Sequence, residues 1–296
     1  MYMAFKDALC NNWFQIITDN KNLEITRQPG FTLDTVEPIE VNGETETSTI
    51  DGVDGSIPIG TSFKPFDLKF NFIYYAVDQQ DFFLFMQKLN NLMNMRKPYY
   101  IRHSKMEGLK YAVLPSPNIS YKKMAGNYYE IEMTFTCYKG YAETADYPMN
   151  SQKFHAIYEH VYNIFNPMWQ FEENMSTERY PVYRHKAKRF KIFNGSTDVI
   201  DPSLHHELNI KINVKAPNGF KMTNHTTGDV FKYTKAIEKK ETFQLVGLLP
   251  FVDDLQVGDR TNHNWITLAK GDNDIQIEGI DMEIPESDWK FPFIFR

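Results

Sequence analysis

The chain has 296 residues, which is long enough for two domains that each bury a core of their own. Its formal net charge is −6, so no overall positive field favours nucleic acid, and we expect no sequence-specific nucleic-acid binding. Aromatic residues make up 15% of the sequence, a share that suits half-buried β-strands, on which aromatic side chains pack well.

The N-terminus, MYMAFKDALCNNW, has no long apolar stretch, so we expect no signal peptide and synthesis in a cytoplasm. No segment approaches the ~18 apolar residues that span a bilayer, which predicts no membrane insertion. The cysteines, Cys10 and Cys137, are too few and too far apart for a disulfide framework. Both are expected to be reduced and at least partly buried.

Residues 12–29 predict two short strands around a turn at residues 19–22. The next segment, residues 30–63, is rich in carboxylates and contains no Lys or Arg. Such an acidic sequence with scattered Thr, Gly and Pro is hard to bury, so we expect an exposed, extended arm or loop, or a segment that lies against a partner. Its carboxylates are Asp34, Glu37, Glu40, Glu44, Glu46, Asp51 and Asp54.

The stretch DGVDGSIPIG at 51–60 contains the G-x-x-x-x-G spacing of a phosphate-binding loop. Such a loop requires Lys and then Ser or Thr after the second glycine, and a helix whose N–H groups face the phosphate. Here Thr61 follows, and the next residues alternate as in a strand. The sequence therefore disfavours a nucleotide site and predicts a wide turn or a docking loop. The candidate loop residues are Asp51, Gly52, Asp54, Gly55 and Gly60.

A strand and then a helix are predicted after this loop. Residues 66–76, FDLKFNFIYYA, mostly alternate apolar and polar side chains, which indicates a strand with one buried face. Residues 77–95 carry apolar side chains at helical spacing, with Asp78 as the N-cap and Asp81 near the positive helix end. The apolar stripe is expected to pack against a sheet: Phe82, Phe85, Met86, Leu89, Leu92 and Met93.

Strands return after the helix. PYYIRH (98–103) and LKYAVL (109–114) flank one turn, and NISYKK (118–123) and NYYEIEMTFTCY (127–138) flank another. The first part of the chain, residues 1–140, is therefore predicted to be an α+β domain with one main helix.

The rest of the chain is predicted to be mainly β. Residues 141–187 are predicted to be a connecting segment with one short helix at 154–165. In residues 188–296, strands and turn signals recur every ~8–12 residues, which indicates a β-sandwich or jelly roll. ELNIKINV at 207–214 alternates strictly, and residues 264–279 predict a hairpin that turns at KGDN. The fold class predicted for the whole chain is mainly β.

No constellation of residues points to catalysis, a metal or a cofactor. His155 and His160 are five residues apart, which does not place both on one helical face for a metal. His205 and His206 adjoin a strand, where neighbouring side chains point to opposite faces. A G-x-S-x-G elbow is absent, and carboxylate pairs for glycoside hydrolysis cannot be recognised from sequence. We expect no catalytic residue, no cofactor and no metal.

One function that these residues leave open is that of a carbohydrate-binding module, which would attach a particle or cell to a wall glycan. Trp265 and Trp289, within the predicted sandwich, could stack on sugar rings, although each fits a core or an interface as well. Trp265 is the candidate for contacting a glycan or a partner.

The order of these features resembles the distal tail (Dit) protein family of long-tailed phages that infect Gram-positive bacteria. DGVDGSIPIG followed by FKPFDLKFNF resembles the loop and strand of the family's N-terminal domain. Three segments of residues 188–296 resemble the family's C-terminal domain: FKIFNGSTDVIDPSLHHELNIKI (190–212), KMTNHTTGDVFKY (221–233) and TNHNWITLAKGDNDIQIEG (261–279). The resemblance covers nearly the whole chain and is weakest in the connecting segment.

The resemblance implies a structural, non-enzymatic virion protein at the phage tail tip. It implies a ring-forming N-terminal domain, assembly as a hexameric ring, and a galectin-like C-terminal β-sandwich. The implied partners are the major tail (tube) protein, a tail-associated lysin or tail fibre protein, and in some relatives a receptor-binding protein. The 51–60 loop would then contact the ring or the tube. The acidic segment would line a channel for DNA, where a basic surface would retard exit, or would be a plain exposed arm.

Overall fold

The computed structural model describes residues 12–19, 21–52, 54–145 and 182–296. The chain divides into two compact units: unit 1, residues 1–145 with Arg296, and unit 2, residues 146–295. Cys10, the two histidines His155 and His160, and the helix predicted at 154–165 lie outside the described residues. In both units the described elements are mainly antiparallel strands, so the predicted mainly-β fold is confirmed.

The described residues of unit 1 form a large antiparallel sheet, with a helix packed on one of its faces, and a smaller ribbon. The sheet order is β2-β1-β7-β8-β10-β6-β3, with β9 paired to β10, while β4 and β5 form a separate ribbon. The elements are β1 (Phe14–Ile17), β2 (Asn22–Glu24), β3 (Phe31–Val36), β4 (Gly43–Ser48), β5 (Ile57–Phe63), β6 (Phe66–Tyr75), α1 (Gln79–Met93), β7 (Tyr99–His103), β8 (Leu109–Val113), β9 (Asn118–Lys123) and β10 (Tyr128–Thr144). Short 3-10 turns occur at Ile25–Arg27 and Ser104–Met106.

The pairing of β6 with β10 forms the centre of this sheet. It runs without interruption from Tyr75 opposite Tyr128 to Phe66 opposite Cys137. Alternate residues of both strands are buried, as the period-2 pattern predicts. β10 continues past its predicted end at residue 138, through an irregularity at Gly140, where φ is +71° and a Cβ would lie 3.0 Å from the Lys64 carbonyl oxygen. Only glycine suits that close approach.

Helix α1 packs its predicted apolar stripe on this sheet. The Asp78 side chain accepts a hydrogen bond from the Asp81 N–H, as expected for an N-cap. Phe82 stacks on Tyr129 with ring centroids 3.7 Å apart. Phe85 stacks on Tyr74 at 3.9 Å. The helix therefore closes the core of unit 1 with aromatic contacts.

The described residues of unit 2 form two antiparallel sheets, ordered β11-β20-β13-β16-β17-β18 and β12-β19-β14-β15. The strands are β11 (Arg184–Lys186), β12 (Arg189–Asn194), β13 (Asn209–Asn213), β14 (Phe220–Asn224), β15 (Val230–Tyr233), β16 (Phe243–Val246), β17 (Leu249–Val252), β18 (Leu255–Gln256), β19 (Gly271–Glu278), β20 (Glu286–Lys290) and β21 (Ile294–Phe295). Phe243 of the first sheet contacts Phe220 and Phe231 of the second, at 5.0 and 5.6 Å. The two sheets therefore face each other across an aromatic core, as in a sandwich.

The hairpin predicted at 264–279 is wrong. β19 begins at Gly271, inside the predicted KGDN turn, and pairs with β12 and β14. The residues before it contribute only an isolated bridge from Leu268 to Ile200 among the described residues. The reason is Asn273, which is fully buried and whose side chain accepts from the Ala269 N–H and donates to the Ala269 carbonyl, both at 2.8 Å. These bonds hold a local turn ahead of the strand.

His103 is a buried polar group in the core of unit 1. Its ring is stacked with Tyr111 and packs edge-on against Phe70, and its nitrogens have no hydrogen-bond partner within the described structure. Burial lowers the pKa of His103 to about 4, and the nearby Lys105 charge acts in the same direction. The imidazole is therefore neutral in the folded protein at neutral pH.

We predict that Phe85→Ala lowers the free energy of unfolding of unit 1 by about 3–5 kcal/mol, because it leaves a cavity under the helix. The matched control is Phe83→Ala on the same helix. Phe83 is 53% exposed, so its truncation should change stability by no more than ~0.5 kcal/mol. Urea unfolding followed by circular dichroism at low protein concentration measures both values. Equal effects of the two substitutions would contradict the described packing.

We also predict that His103 makes unit 1 less stable in acid. Its folded pKa lies below its unfolded value, so its contribution is complete above about pH 6.5 and is lost as the pH falls towards 4. Between pH 7.5 and 4.5 the wild type should lose about 2 kcal/mol more than His103→Phe, which keeps a ring but cannot titrate. Urea unfolding at both pH values tests this. Identical pH dependence of the two proteins would show that His103 is not responsible.

Candidate interaction surface

The β4–β5 ribbon of unit 1 is a two-stranded sheet of its own, called here the arm and comprising residues 43–63. Its strands pair from Gly43 opposite Phe63 to Ser48 opposite Ile57, with an irregularity after Glu46. Every described residue of the arm is exposed, including Ile57 and Ile59. The Lys64 N–H donates to the Asn42 carbonyl, so the two ends of the arm lie side by side. The arm therefore buries little of its own surface.

The structure corrects two predictions in this region. The exposed segment was expected to begin at residue 30, but Phe31–Val36 is strand β3, whose residues Phe31 and Leu33 are buried against the sheet. Its apolar residues alternate with polar ones, so Asp34 stays exposed on a strand that is part of the sheet. The loop predicted at 51–60 is half turn and half strand. Gly60 belongs to β5, because it pairs with Glu46 in the ribbon ladder.

The remaining candidate loop residues form the tip of the arm. Asp51, Gly52, Asp54 and Gly55 lie between the two strands and are exposed. Gly52 and Gly55 have φ of +84° and +88°, in the left-handed region that side chains disfavour. The two glycines thus allow the chain to turn at the tip of the hairpin, after which it continues into strand β5.

The acidic residues of the segment divide into paired and unpaired groups. Glu44 meets Lys64 at 2.6 Å, and Glu37 meets Lys69 at 3.2 Å. The hydrogen bond and charge of Lys64 lower the pKa of Glu44, and those of Glu37 raise the pKa of Lys69. The other five carboxylates of residues 30–63 form no ion pair with any residue that the structure describes. They are Asp34, Glu40, Glu46, Asp51 and Asp54.

A second exposed surface lies at the opposite end of β6 and was not anticipated. Here Tyr75 and Tyr128 are exposed and their ring centroids lie 4.9 Å apart. The β9 strand beside them ends in exposed Lys122 and Lys123. The doubled tyrosines at 74–75 and 128–129 are the sequence signal for this surface, because neighbouring residues of a strand face opposite sides. One ring of each pair enters the core and the other faces solvent.

Trp265 is anchored within unit 2. Its side chain is half-buried, and its indole N–H donates to an Asp201 carboxylate oxygen at 3.1 Å. The same oxygen accepts from the Ser203 N–H at 2.8 Å. Trp289 is fully buried in the core. Burial removes Trp289 as a platform for stacking on a sugar ring, and the hydrogen bond to Asp201 fixes the position of the partly exposed Trp265 indole.

The predicted chemistry-bearing residues do not converge in the part of the chain that the structure describes. There, no group of three or more His, Cys, Asp or Glu residues is arranged to hold a metal ion. His206 is buried, with its Nδ1 3.0 Å from the Val199 carbonyl oxygen, whereas the neighbouring His205 is exposed. Cys137 is buried as a free thiol, and burial raises its pKa to about 11. None of the described helices is both long and apolar enough to cross a bilayer.

Comparison with known proteins points to phage tails. Residues 19–137 match the model of the phage tail protein RIFT-related domain. The solved Dit protein of phage SPP1, described as a paradigm of the hub adsorption apparatus in phages that infect Gram-positive bacteria, aligns with a TM-score of 0.65 and 13% identity. This alignment covers 96% of the present chain and 99% of that one. The phage P2 baseplate in its activated conformation with Ca aligns at a TM-score of 0.43 and 11% identity, over 95% and 98% of the two chains.

Comparison with curated proteins gave no match. The structural alignment shows that the chain has the fold of a siphophage Dit protein over nearly its whole length. Most of unit 1 also matches the sequence model of a phage tail domain.

We predict that amide hydrogens of the arm exchange within seconds to minutes in the free protein, because an isolated two-stranded hairpin is only marginally stable in water. Amides of the β6–β10 pairing should exchange only on global unfolding. Hydrogen–deuterium exchange with mass spectrometry compares the two regions in one experiment. Equal protection of both would mean that the arm is supported by contacts that the described structure does not contain.

Proposed function

We propose that this protein is a structural hub of the tail tip of a long-tailed phage, where it forms a closed ring beneath the tail tube. The observation that carries the proposal is the alignment with the SPP1 Dit protein over nearly the full length of both chains. The phage tail domain matched by residues 19–137 supports it independently. Both comparisons favour a virion location and a structural role.

In this proposal unit 1 forms the ring, and about six copies close it, the number that the family resemblance implies. The arm supplies a contact to the ring or the tube. It is exposed, it carries the apolar side chains Ile57 and Ile59, and its ends lie side by side at Asn42 and Lys64. An exposed ribbon of this kind leaves backbone groups unpaired along both of its outer edges and can gain stability from a partner.

Unit 2 would be a galectin-like sandwich that holds the outer components of the tail tip. The proposed partners are the major tail (tube) protein, a tail-associated lysin or tail fibre protein, and a receptor-binding protein. We propose a non-enzymatic role, because the family and the fold are those of structural tail proteins. Of the two tryptophans considered for the carbohydrate-binding alternative, Trp289 is fully buried, which leaves that alternative with Trp265 only.

The ring is tested by the mass of the purified protein in solution. Multi-angle light scattering at several concentrations should show a discrete species of about six times the 34.8 kDa chain, alone or on addition of a tail-tube protein. A strict monomer in both conditions would count against the ring.

Removing the arm tests its role in that assembly. Replacing residues 43–63 with a short Gly-Ser turn should leave unit 1 folded, because Asn42 and Lys64 already lie next to each other, but should abolish the assembled species. Circular dichroism and thermal unfolding verify the fold of the variant. Normal assembly of a folded arm-less protein would exclude the arm as a ring or tube contact.

A further inference from the structure

We propose that the arm of one copy binds along the free edge of β9 in the next copy, so that β4 adds a strand to that copy's sheet. This inference rests on the proposed ring and names its contact. A closed ring joins copies head to tail, which requires two different surfaces on each copy. Unit 1 exposes two such surfaces, the arm and the β9 edge.

The two surfaces lie at opposite ends of one strand. The arm leads into β6 at Phe66, whereas the Lys122–Lys123 end of β9 and the exposed Tyr75–Tyr128 pair lie level with the other end of β6. β6 has ten residues, so the ends are about 30 Å apart at the usual rise per residue. A copy that offers its arm at one end can therefore accept a neighbouring arm at the other without the two contacts competing for space.

The edges of the two strands are both open and have matching lengths. In the described structure β9 pairs only with β10, and β4 pairs only with β5. Both β4 and β9 have six residues. β5 is the poorer docking strand, because Pro58 lacks the N–H that a new ladder would need. Strand addition to an exposed edge is an established mode of protein recognition.

The charges of the two surfaces are complementary. The arm contains no Lys or Arg, and Glu46 and Asp51 form no ion pair among the described residues. β9 ends in the exposed residues Lys122 and Lys123, which also lack an ion pair there. Opposite charges across paired strands stabilise the pairing, and like charges weaken it.

Apolar contacts would accompany the ladder. On the arm, Ile57 and Ile59 are 51% and 64% exposed. Beside the β9 edge, Tyr121 and Met124 are also largely exposed. β5 would be the outer strand once β4 has paired with β9, so its isoleucines would flank the new ladder, while β4 itself would cover part of the exposed apolar surface of the β9 edge. The occupant that fits this edge is therefore the arm of a second copy.

A charge-swap experiment tests the proposal on the full-length protein. The first variant reverses the charge of the arm (Glu46→Lys with Asp51→Lys), and the second reverses the charge of the β9 edge (Lys122→Glu with Lys123→Glu). Each variant alone places like charges in the contact. The protein concentration at which half of the chains are assembled should therefore rise at least tenfold. In an equimolar mixture every contact between unlike copies regains opposite charges, so assembly should recover. Mass photometry or light scattering measures the assembled fraction.

The matched control is Arg96→Glu with Lys97→Glu. It changes the net charge by the same amount as the edge variant, on exposed residues after the end of α1, and should assemble like the wild type. Circular dichroism verifies that each variant is folded. If the wild type assembles while the edge variant is unaffected, or if the folded variants do not complement each other, this contact is overturned and the ring stands. A wild type that never assembles overturns both.

Discussion

The pairing of β6 with β10 is the constraint on which unit 1 depends. Alternate side chains of this pair form the surface on which α1 lies, and aromatic stacking at Tyr74 and Tyr129 fixes the helix there. The same pairing sets the position of both exposed surfaces. One end of β6 leads back into the arm, and the other brings Tyr75 beside Tyr128. A shift by one residue would exchange the buried and exposed faces and remove both surfaces at once.

Much of this fold could be predicted, because local patterns are strong where a single face is buried. The alternation in 66–76 and 127–138 predicted the two central strands, and the helical stripe after Asp78 predicted α1 together with its cap. The strict alternation of residues 207–214 predicted β13 equally well. Leu208 and Val214, which flank the strand, are buried as the pattern requires. In each case the hydrophobic period and the local backbone preference agree.

The errors arose where distant residues decide the local structure. From the sequence, the residues of β3 were assigned to the exposed acidic segment. In the structure, Phe31 and Leu33 are paired with β6, which lies more than thirty positions away. The turn before β19 is set by the buried Asn273, whose partners become evident only in three dimensions. Of the two candidate surfaces, the sequence predicted the arm but not the β9 edge. The acidic arm is visible as composition, whereas the β9 edge emerges from strand order, which sequence patterns do not encode.

The unpaired carboxylates of the arm also bear on how newly made copies avoid faulty contacts. A bare ribbon with exposed isoleucines is the kind of segment that pairs with its own image and begins an aggregate. With Glu46 on the strand and Asp51 and Asp54 at the tip, two arms that approach each other meet mutual repulsion. The acidic residues thus reduce pairing of one arm with another, so the ribbon stays free to bind a different surface when many identical chains are present.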